Sequence, residues 1–524
     1  MTEQGLNVRD ELHRIVRHFP DHEALVGDEF RYTYHDMQQR VRQMAALLHG
    51  LGVRKGDRVA MMLLPSTIHP VVLYGIWELG AVSVALHARE SAGVLEKTLV
   101  RVSPRVLVYD GVFDETVAKL RQRVPFVTGY VRARCEGTPA DKVQPVTGEP
   151  LIPDDLDRYS MDFEPMAIHG FDLASIVLTS GSTGVPKGVM HRHWRLVESC
   201  RAAVYPFGLT PHSCTVNMFT TSFMGWKNLA LPYFNVGAKQ VFMHHFDPVG
   251  ILERMQRERA TSMLLVPTMW RILLRQDVEA YDLSSLKVVG FAGEVMDVPT
   301  LEQIRKRICP RVLNCYSTTE TAVSGGTVMF PEDLERPEKI QSVGRPLLNS
   351  EVRIIEIGGT AQDEVPRGQE GEIIIRAPSV AQEMWNDPPL TREKFEGPWW
   401  HSGDLGRFDD EGFLYVQGRI DDMIITGGIN VLPAPVEETL LGHPNISEAA
   451  VVGLPDPEWG QRITAFIVAK APGLLTAEAL DVYVQETSLS HYQRPRQYVF
   501  LDEMPKGNSG KTNRRALRDG YAGN

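Results

Sequence analysis

Short apolar runs alternate with helix-length stretches through the first half of the chain. The run DRVAMMLL, Asp57 to Leu64, reads as a buried strand that Pro65 ends. Behind it, Val72, Ile76 and Leu79 fall at i, i+4 and i+7, one face of a helix closed by Gly80. The runs AVSVAL, RVLVYD, SIVLT, QVFMH, SMLLV and LKVVGF follow, each separated from the next by enough chain for a helix. This rhythm predicts βα units around largely parallel sheets. Residues 144–165, rich in Pro, Asp and Gly, predict a surface crossing between subdomains.

After residue 350 the pattern shortens. EVRIIEI and GEIIIRA predict strands with brief connections, a smaller sheet or barrel. GRIDDMIITGGINV leads into PAPVEETLL, a helix with Pro435 near its start and Val436, Leu440 and Leu441 as its apolar positions. EAAVVGL, ITAFIVA and a helix after Thr476 complete a compact unit. The expected fold is α/β: a large N-terminal domain of βα-layered sheets plus a small barrel-like subdomain, residues 1–419, and a small α+β C-terminal domain, residues 420–524.

Composition narrows the function more than the fold. A formal net charge of −11 argues against a nucleic-acid partner, which needs a basic face. The five cysteines, Cys135, Cys200, Cys214, Cys309 and Cys315, are scattered and form no CxxC pair, so neither a disulfide framework nor a zinc site is indicated. The polar start MTEQGLNVRDELHRIV excludes a secretory signal, no apolar run reaches the ~20 residues that span a bilayer, and YAGN carries no organelle address. A cytoplasmic protein without stable membrane insertion is expected.

One stretch fits no packed element. In VLTSGSTGVPKGVMH, a strand ending at Leu178 runs into Thr179, Ser180, Gly181, Ser182, Thr183 and Gly184, then Pro186 and Lys187. Glycines let a backbone turn tightly and aim N–H groups at an anion, while hydroxyls and a lysine add donors and charge. By itself the stretch fits either a phosphate cradle or a flexible surface loop. It is not a Walker loop, because Gly188 rather than Ser or Thr follows Lys187, and it is not GxGxxG.

TSGSTGVPKGV closely resembles the phosphate-binding signature of the adenylate-forming superfamily, which includes acyl-CoA synthetases, carrier-loading adenylation domains and firefly-type luciferases. Further stretches match other motifs of that superfamily in order. In NCYSTTETA, the resemblance implies that Tyr316 stacks on adenine, Thr319 contacts phosphate and Glu320 holds Mg²⁺, a carboxylate suiting a hard cation. Ser317 stands where glycine is usual. By the same resemblance Gly293, Glu294, Asn314, Cys315 and Thr318 join the nucleotide site. WWHSGDLGRFDDEGFLYVQGR implies ribose contacts from Asp404, completed by Arg419, and GRIDDMIITGGINV places Asp421 at the hinge of a mobile C-terminal lid. Gly427 and Gly428 match the turn that lines the thiol channel, where a pantetheine arm approaches backbone without a Cβ. LDEMPKGNSGKTNRRALR resembles the lysine motif, with Lys511 catalytic.

The implied reaction runs in two steps: a carboxylate and ATP form acyl-AMP and pyrophosphate, then a thiol displaces AMP. The implied catalytic residues are Lys511, Lys187 and Glu320, and the cofactors are ATP, Mg²⁺ and coenzyme A. NMFTTSFMGWKNLALPYF lies where the superfamily builds one wall of the acyl pocket. Many fatty-acyl and coumaroyl-type ligases carry a histidine near its start, and here Thr220 to Ser222 stand instead. No aspartate lies between Asn217 and Pro232 to grip an α-ammonium, which disfavours an amino acid. Phe223, Trp226 and Phe291 are the candidate contacts for a medium-chain or aromatic acid. The expected partners are that small acid and free CoA; a carrier protein is the alternative acceptor, and a homodimer stays open.

Overall fold

The computed structural model describes residues 5–139, 146, 148–160, 166–179, 185–294, 296–322, 325–487, 489–506 and 512–521. The chain divides into two compact units, one of residues 1–353 and 374–401, the other of residues 354–373 and 402–524.

The first unit holds a seven-stranded sheet in the order Leu151–Ile152, Gly129–Ala133, Val106–Asp110, Arg58–Met62, Val82–Ala85, Leu173–Thr179, Lys187–Arg192. Every neighbouring pair is parallel except the last. The strands read as unbroken apolar runs because both faces are covered. Val59, Met61, Val106 and Val108 enter one hydrophobic core, while Ala60, Met62, Leu107 and Tyr109 enter another on the opposite face. Leu151–Ile152 comes from the stretch expected to be only a surface crossing, and it pairs in parallel with Gly129–Ala133 at the sheet edge.

The helix expected after Pro65 spans Ile68–Glu78, and all its residues are buried, not one face alone. A Cβ at Gly75 would come within 2.8 Å of Met44 Cγ, so the helix Tyr34–Gly50 crosses it closely. A helix walled in on every side is apolar all round, and the i, i+4, i+7 pattern captures only part of its contacts.

A second sheet runs Ser262–Leu265, Val288–Ala292, Val312–Tyr316, Thr327–Met329, Arg345–Pro346, with the first three strands parallel. A third is assembled from distant chain: Cys214–Asn217, Lys239–Phe242, Glu23–Val26, Arg31–Thr33.

In the second unit, Gly460–Ala469 pairs with Ile446–Asp456, Ile424–Thr426 and Gln497–Phe500, and Ile429–Val431 closes the far edge. Its strands bury alternate residues on opposite faces. Val451, Ile463, Ala465 and Ile467 pack under Val436, Leu440, Leu480 and Val484 of two helices, Pro433–Leu441 and Ala477–Gln485. Ala450, Val452, Leu454 and Phe466 pack against Met504 and Leu517. Leu441, expected as an apolar position of the first helix, is 49% exposed at its last residue. Among the described residues no helix is long and apolar enough to cross a membrane.

Candidate active site

Strand ends place most of the predicted nucleotide residues in the first unit. Leu173–Thr179 and Lys187–Arg192 form an antiparallel pair in which Thr179 lies opposite Lys187. Ser180, Gly181, Ser182, Thr183 and Gly184 lie outside the described residues. Gly188 has a steric reason to be glycine: a Cβ there would meet Ile176 Cγ2 at 2.7 Å and Trp385 Cβ at 3.0 Å.

In the second sheet, Phe291 lies opposite Asn314 and Ala292 opposite Cys315. The turns after these parallel strands therefore emerge at one carboxyl edge, where ligands of open α/β sheets bind. Gly293 and Glu294 follow one strand; Tyr316 ends the other, and Ser317 to Glu320 continue from it. Glu294 is exposed and accepts a hydrogen bond from Thr268 Oγ1 at 3.1 Å. A Cβ at Gly326 would stand 1.8 Å from the Tyr316 carbonyl oxygen, so the neighbouring strand reaches this turn only with glycine there.

The backbone of the turn is clamped from several sides. His191 Nε2 lies 2.9 Å from the Thr319 carbonyl oxygen. A carbonyl only accepts, so Nε2 carries the proton. Burial holds the His191 pKa down to about 3, and the ring is neutral. The Ala381 N–H donates to the Glu320 carbonyl at 2.8 Å, Ser379 Oγ to the Thr321 carbonyl at 3.0 Å, and the Thr318 N–H to Thr321 Oγ1 at 2.9 Å. Such a turn presents Tyr316, Thr319 and Glu320 from a fixed frame. Among the described residues no group of three or more His, Cys, Asp or Glu gathers as a metal cage. A single carboxylate at Glu320 fits Mg²⁺, which keeps several waters and takes its other oxygens from phosphates.

The predicted acyl contacts separate on burial. Trp226 is 0% exposed and Phe291 1%. The Trp226 indole stands edge-on to His69, ring centroids 4.3 Å apart, and stacks on Phe242. Phe223 is half-buried, its ring centroid 4.5 Å from that of His87. His87 Nδ1 also meets Ser222 Oγ at 2.7 Å. Next along the helix Met224–Val236, Lys227 is buried with no hydrogen-bond or ion-pair partner among the described residues, and burial lowers its pKa to about 8. The sequence offered no sign of His87 or His191, since a lone histidine beside a strand carries no pattern. Lys227 did leave one: a cation inside the apolar GWKNLALPYF.

The second unit holds the remaining predicted residues. Asp404, buried, lies opposite Arg419 across an antiparallel pair. Arg419 Nη1 donates to Asp404 Oδ1 and to the Ser402 carbonyl, each at 2.9 Å. Asp421 is exposed, 3.6 Å from Arg419 Nη2. Gly427 and Gly428 have φ of +57° and +78°. They form the two-residue link between Ile424–Thr426 and Ile429–Val431, where positive φ at both positions matches the twist of the strands. Lys511 lies outside the described residues. On either side of it, Lys506 pairs with Thr512 and the Asn513 N–H donates to the Pro505 carbonyl at 2.7 Å. The nearby arginines are held: Arg514 donates to Glu437 at 2.7 Å and Arg518 to Asp422 at 2.7 Å.

Comparison with known proteins identifies the family. The AMP-binding enzyme family matches residues 12–385, and the AMP-binding enzyme C-terminal domain matches residues 435–511. A long-chain-fatty-acid–CoA ligase, FadD13, of Mycobacterium tuberculosis is 30% identical over 507 residues, 94% of each chain. A feruloyl-CoA synthase of an Amycolatopsis species is 31% identical over 487 residues, 91% of this chain and 92% of its own. The crystal structure of the anthranilate CoA ligase AuaEII with anthranoyl-AMP superposes with a TM-score of 0.86 at 26% identity, covering 99% of this chain and 98% of that one. The chain therefore belongs to the AMP-binding enzyme family, whose nucleotide-binding region and C-terminal domain it carries in order.

Proposed function

We propose that this protein is an ATP-dependent carboxylate–CoA ligase that works through an acyl-adenylate and releases AMP and pyrophosphate, with a medium-chain or aromatic acid as its substrate. The observation that carries this reading is the clamped turn at 316–320, set at a carboxyl edge of parallel strands within a chain that matches both domains of the family. Relatives acting on a fatty acid and on an aryl acid support the range of acids.

In the first step a carboxylate oxygen attacks the α-phosphorus of ATP, a new P–O bond forms, and the bond to the β-phosphate oxygen breaks. Such a reaction needs positioned charge more than a protein nucleophile. Tyr316, with Gly293, Glu294, Asn314, Cys315, Ser317 and Thr318, holds the nucleotide base and its surroundings; Asp404 and Arg419 hold the ribose. Thr179 to Gly184, Lys187 and Thr319 hold the phosphates, and Lys511 neutralises charge at the α-phosphorus. Mg²⁺, held by Glu320, would supply charge neutralisation on the departing pyrophosphate. In the second step the CoA thiol, entering past Gly427 and Gly428, attacks the acyl carbon and AMP leaves. A lid of residues 420–524 turning about Asp421 would let Lys511 serve the first step and Gly428 the second.

Acid-dependent exchange of labelled pyrophosphate into ATP, across a panel of aliphatic and aromatic carboxylic acids, tests the first step. Thioester formation with CoA alone tests the second. Exchange without thioester on CoA would favour a carrier protein as acceptor, and no exchange with any acid would refute the reading.

A further inference from the structure

Three elements meet at one edge of the seven-stranded sheet. Val82–Ala85 and Leu173–Thr179 are parallel neighbours, with Ser83 opposite Ser175 and Val84 opposite Ile176, so both end on the same side. Leu86 and His87 follow the first strand, and Leu178 and Thr179 end the second. His87 is 6% exposed, its Nδ1 is 2.7 Å from Ser222 Oγ, and its ring tilts against Phe223. The ring faces the Leu178 backbone, one residue before Thr179. Burial holds its pKa below the ordinary histidine value, so it is a neutral imidazole near neutral pH.

The segment that meets His87 is pinned at a second point. Thr221 Oγ1 donates to the Leu63 carbonyl at 2.8 Å, just past the end of Arg58–Met62. Arg58–Met62 is itself the parallel neighbour of Val82–Ala85. Residues 221–223 are therefore tied to the ends of adjacent strands, through Leu63 and through His87. Only the second tie also touches the strand that leads into residues 180–184. Thr221 and Ser222 are buried while Phe223 keeps partial exposure, so the tied segment turns one ring outward.

We propose that His87 is a positioning residue for the acid: it holds Ser222 and Phe223 at the strand end carrying Thr179, where they receive the acid's carboxyl end. The inference rests on the ligase reading above. The Ser222 hydroxyl gives the carboxyl end a polar contact and the Phe223 ring an apolar one. A histidine suits this post because its planar ring can lie against Phe223 while Nδ1 serves the Ser222 hydroxyl.

The test compares wild type, His87→Ala, His87→Asn, Ser222→Ala and the His87→Ala/Ser222→Ala double variant. Each is assayed by pyrophosphate exchange with the acid that exchanges fastest in wild type, and the KM for ATP and the thermal midpoint are measured alongside. The His87→Ala and Ser222→Ala variants should each raise the acid KM about ten-fold, the effect of losing one hydrogen bond between neutral groups. The KM for ATP should stay within about two-fold. The double variant should be no worse than Ser222→Ala alone, because the two residues act through one contact. His87→Asn, which keeps a hydrogen-bonding group, should recover part of the loss. Multiplied losses in the double variant, an unchanged acid KM, or an equal rise in the KM for ATP would overturn the inference. Should His87→Ala fail to fold, Ser222→Ala and His87→Asn decide the matter. A wild type that exchanges normally beside an indifferent His87→Ala sinks the positioning role alone, whereas a wild type silent with every acid sinks the ligase reading and this inference with it.

Discussion

Replacing Lys227 with methionine should stabilise the first unit at neutral pH, against the usual direction of core substitutions. The lysine is 3% exposed on the helix Met224–Val236 and has no hydrogen-bond or ion-pair partner among the described residues. Its buried neighbours His69 and His191 are both held neutral by desolvation and offer no opposite charge. Removal from water alone lowers the ammonium pKa from 10.5 to about 8. A shift of that size corresponds to about 3 kcal/mol between the two protonation states. Below pH 8 the lysine is protonated in both folded and unfolded chains, so the folded state carries the whole penalty. Between pH 8 and 10.5 the unfolded chain binds more protons than the folded one, so wild-type stability rises with pH. Methionine has similar length and no charge, so Lys227→Met should gain up to about 3 kcal/mol at pH 7 and lose that advantage toward pH 10.5. Urea unfolding followed by tryptophan fluorescence reports on this region, since Trp226 adjoins the substitution. An equally stable or weaker variant at pH 7, or a difference that does not change with pH, would refute the reasoning.

Other substitutions probe the site directly. Lys511→Ala should abolish pyrophosphate exchange while leaving thioester formation from supplied acyl-AMP largely intact; equal loss of both half-reactions would count against its role. Asp404→Ala should raise the KM for ATP by roughly ten- to a hundred-fold, because it removes a charged acceptor of hydrogen bonds and the carboxylate that holds Arg419 Nη1. An unchanged KM for ATP would exclude the ribose contact. Gly326→Ala drives a methyl into the Tyr316 carbonyl and should cost about 2 kcal/mol or more and weaken nucleotide binding, read by thermal melts with and without ATP. Wild-type stability with normal nucleotide binding would show that the 316–320 turn has room to move.

The parallel sheets were legible because strands buried on both faces leave continuous apolar runs, as in Arg58–Met62 and Val106–Asp110. Where burial surrounds an element, periodicity loses information, and so the helix Ile68–Glu78 looked one-sided in sequence. The edge strand Leu151–Ile152 was hidden because two residues between proline-rich stretches carry no period. Motif order singled out Tyr316 and Glu320 as candidates. The groups that hold them escaped notice: His191 acts on a carbonyl, and Ser379 and Ala381 reach the same turn from about sixty residues away. Backbone partners leave no imprint on residue type, so no reading of side chains finds them.

The third sheet of the first unit sets a schedule for synthesis. Glu23–Val26 is among the first strands made, yet its parallel partner Lys239–Phe242 lies some two hundred residues downstream. At 5–20 residues per second, a ribosome needs on the order of ten to forty seconds to supply it. Meanwhile only the short strand Arg31–Thr33 can cover one flank of that apolar segment, leaving the other as an open template for intermolecular pairing. Aggregation of this chain during expression should thus track translation speed and chaperone supply more closely than the stability of the finished protein.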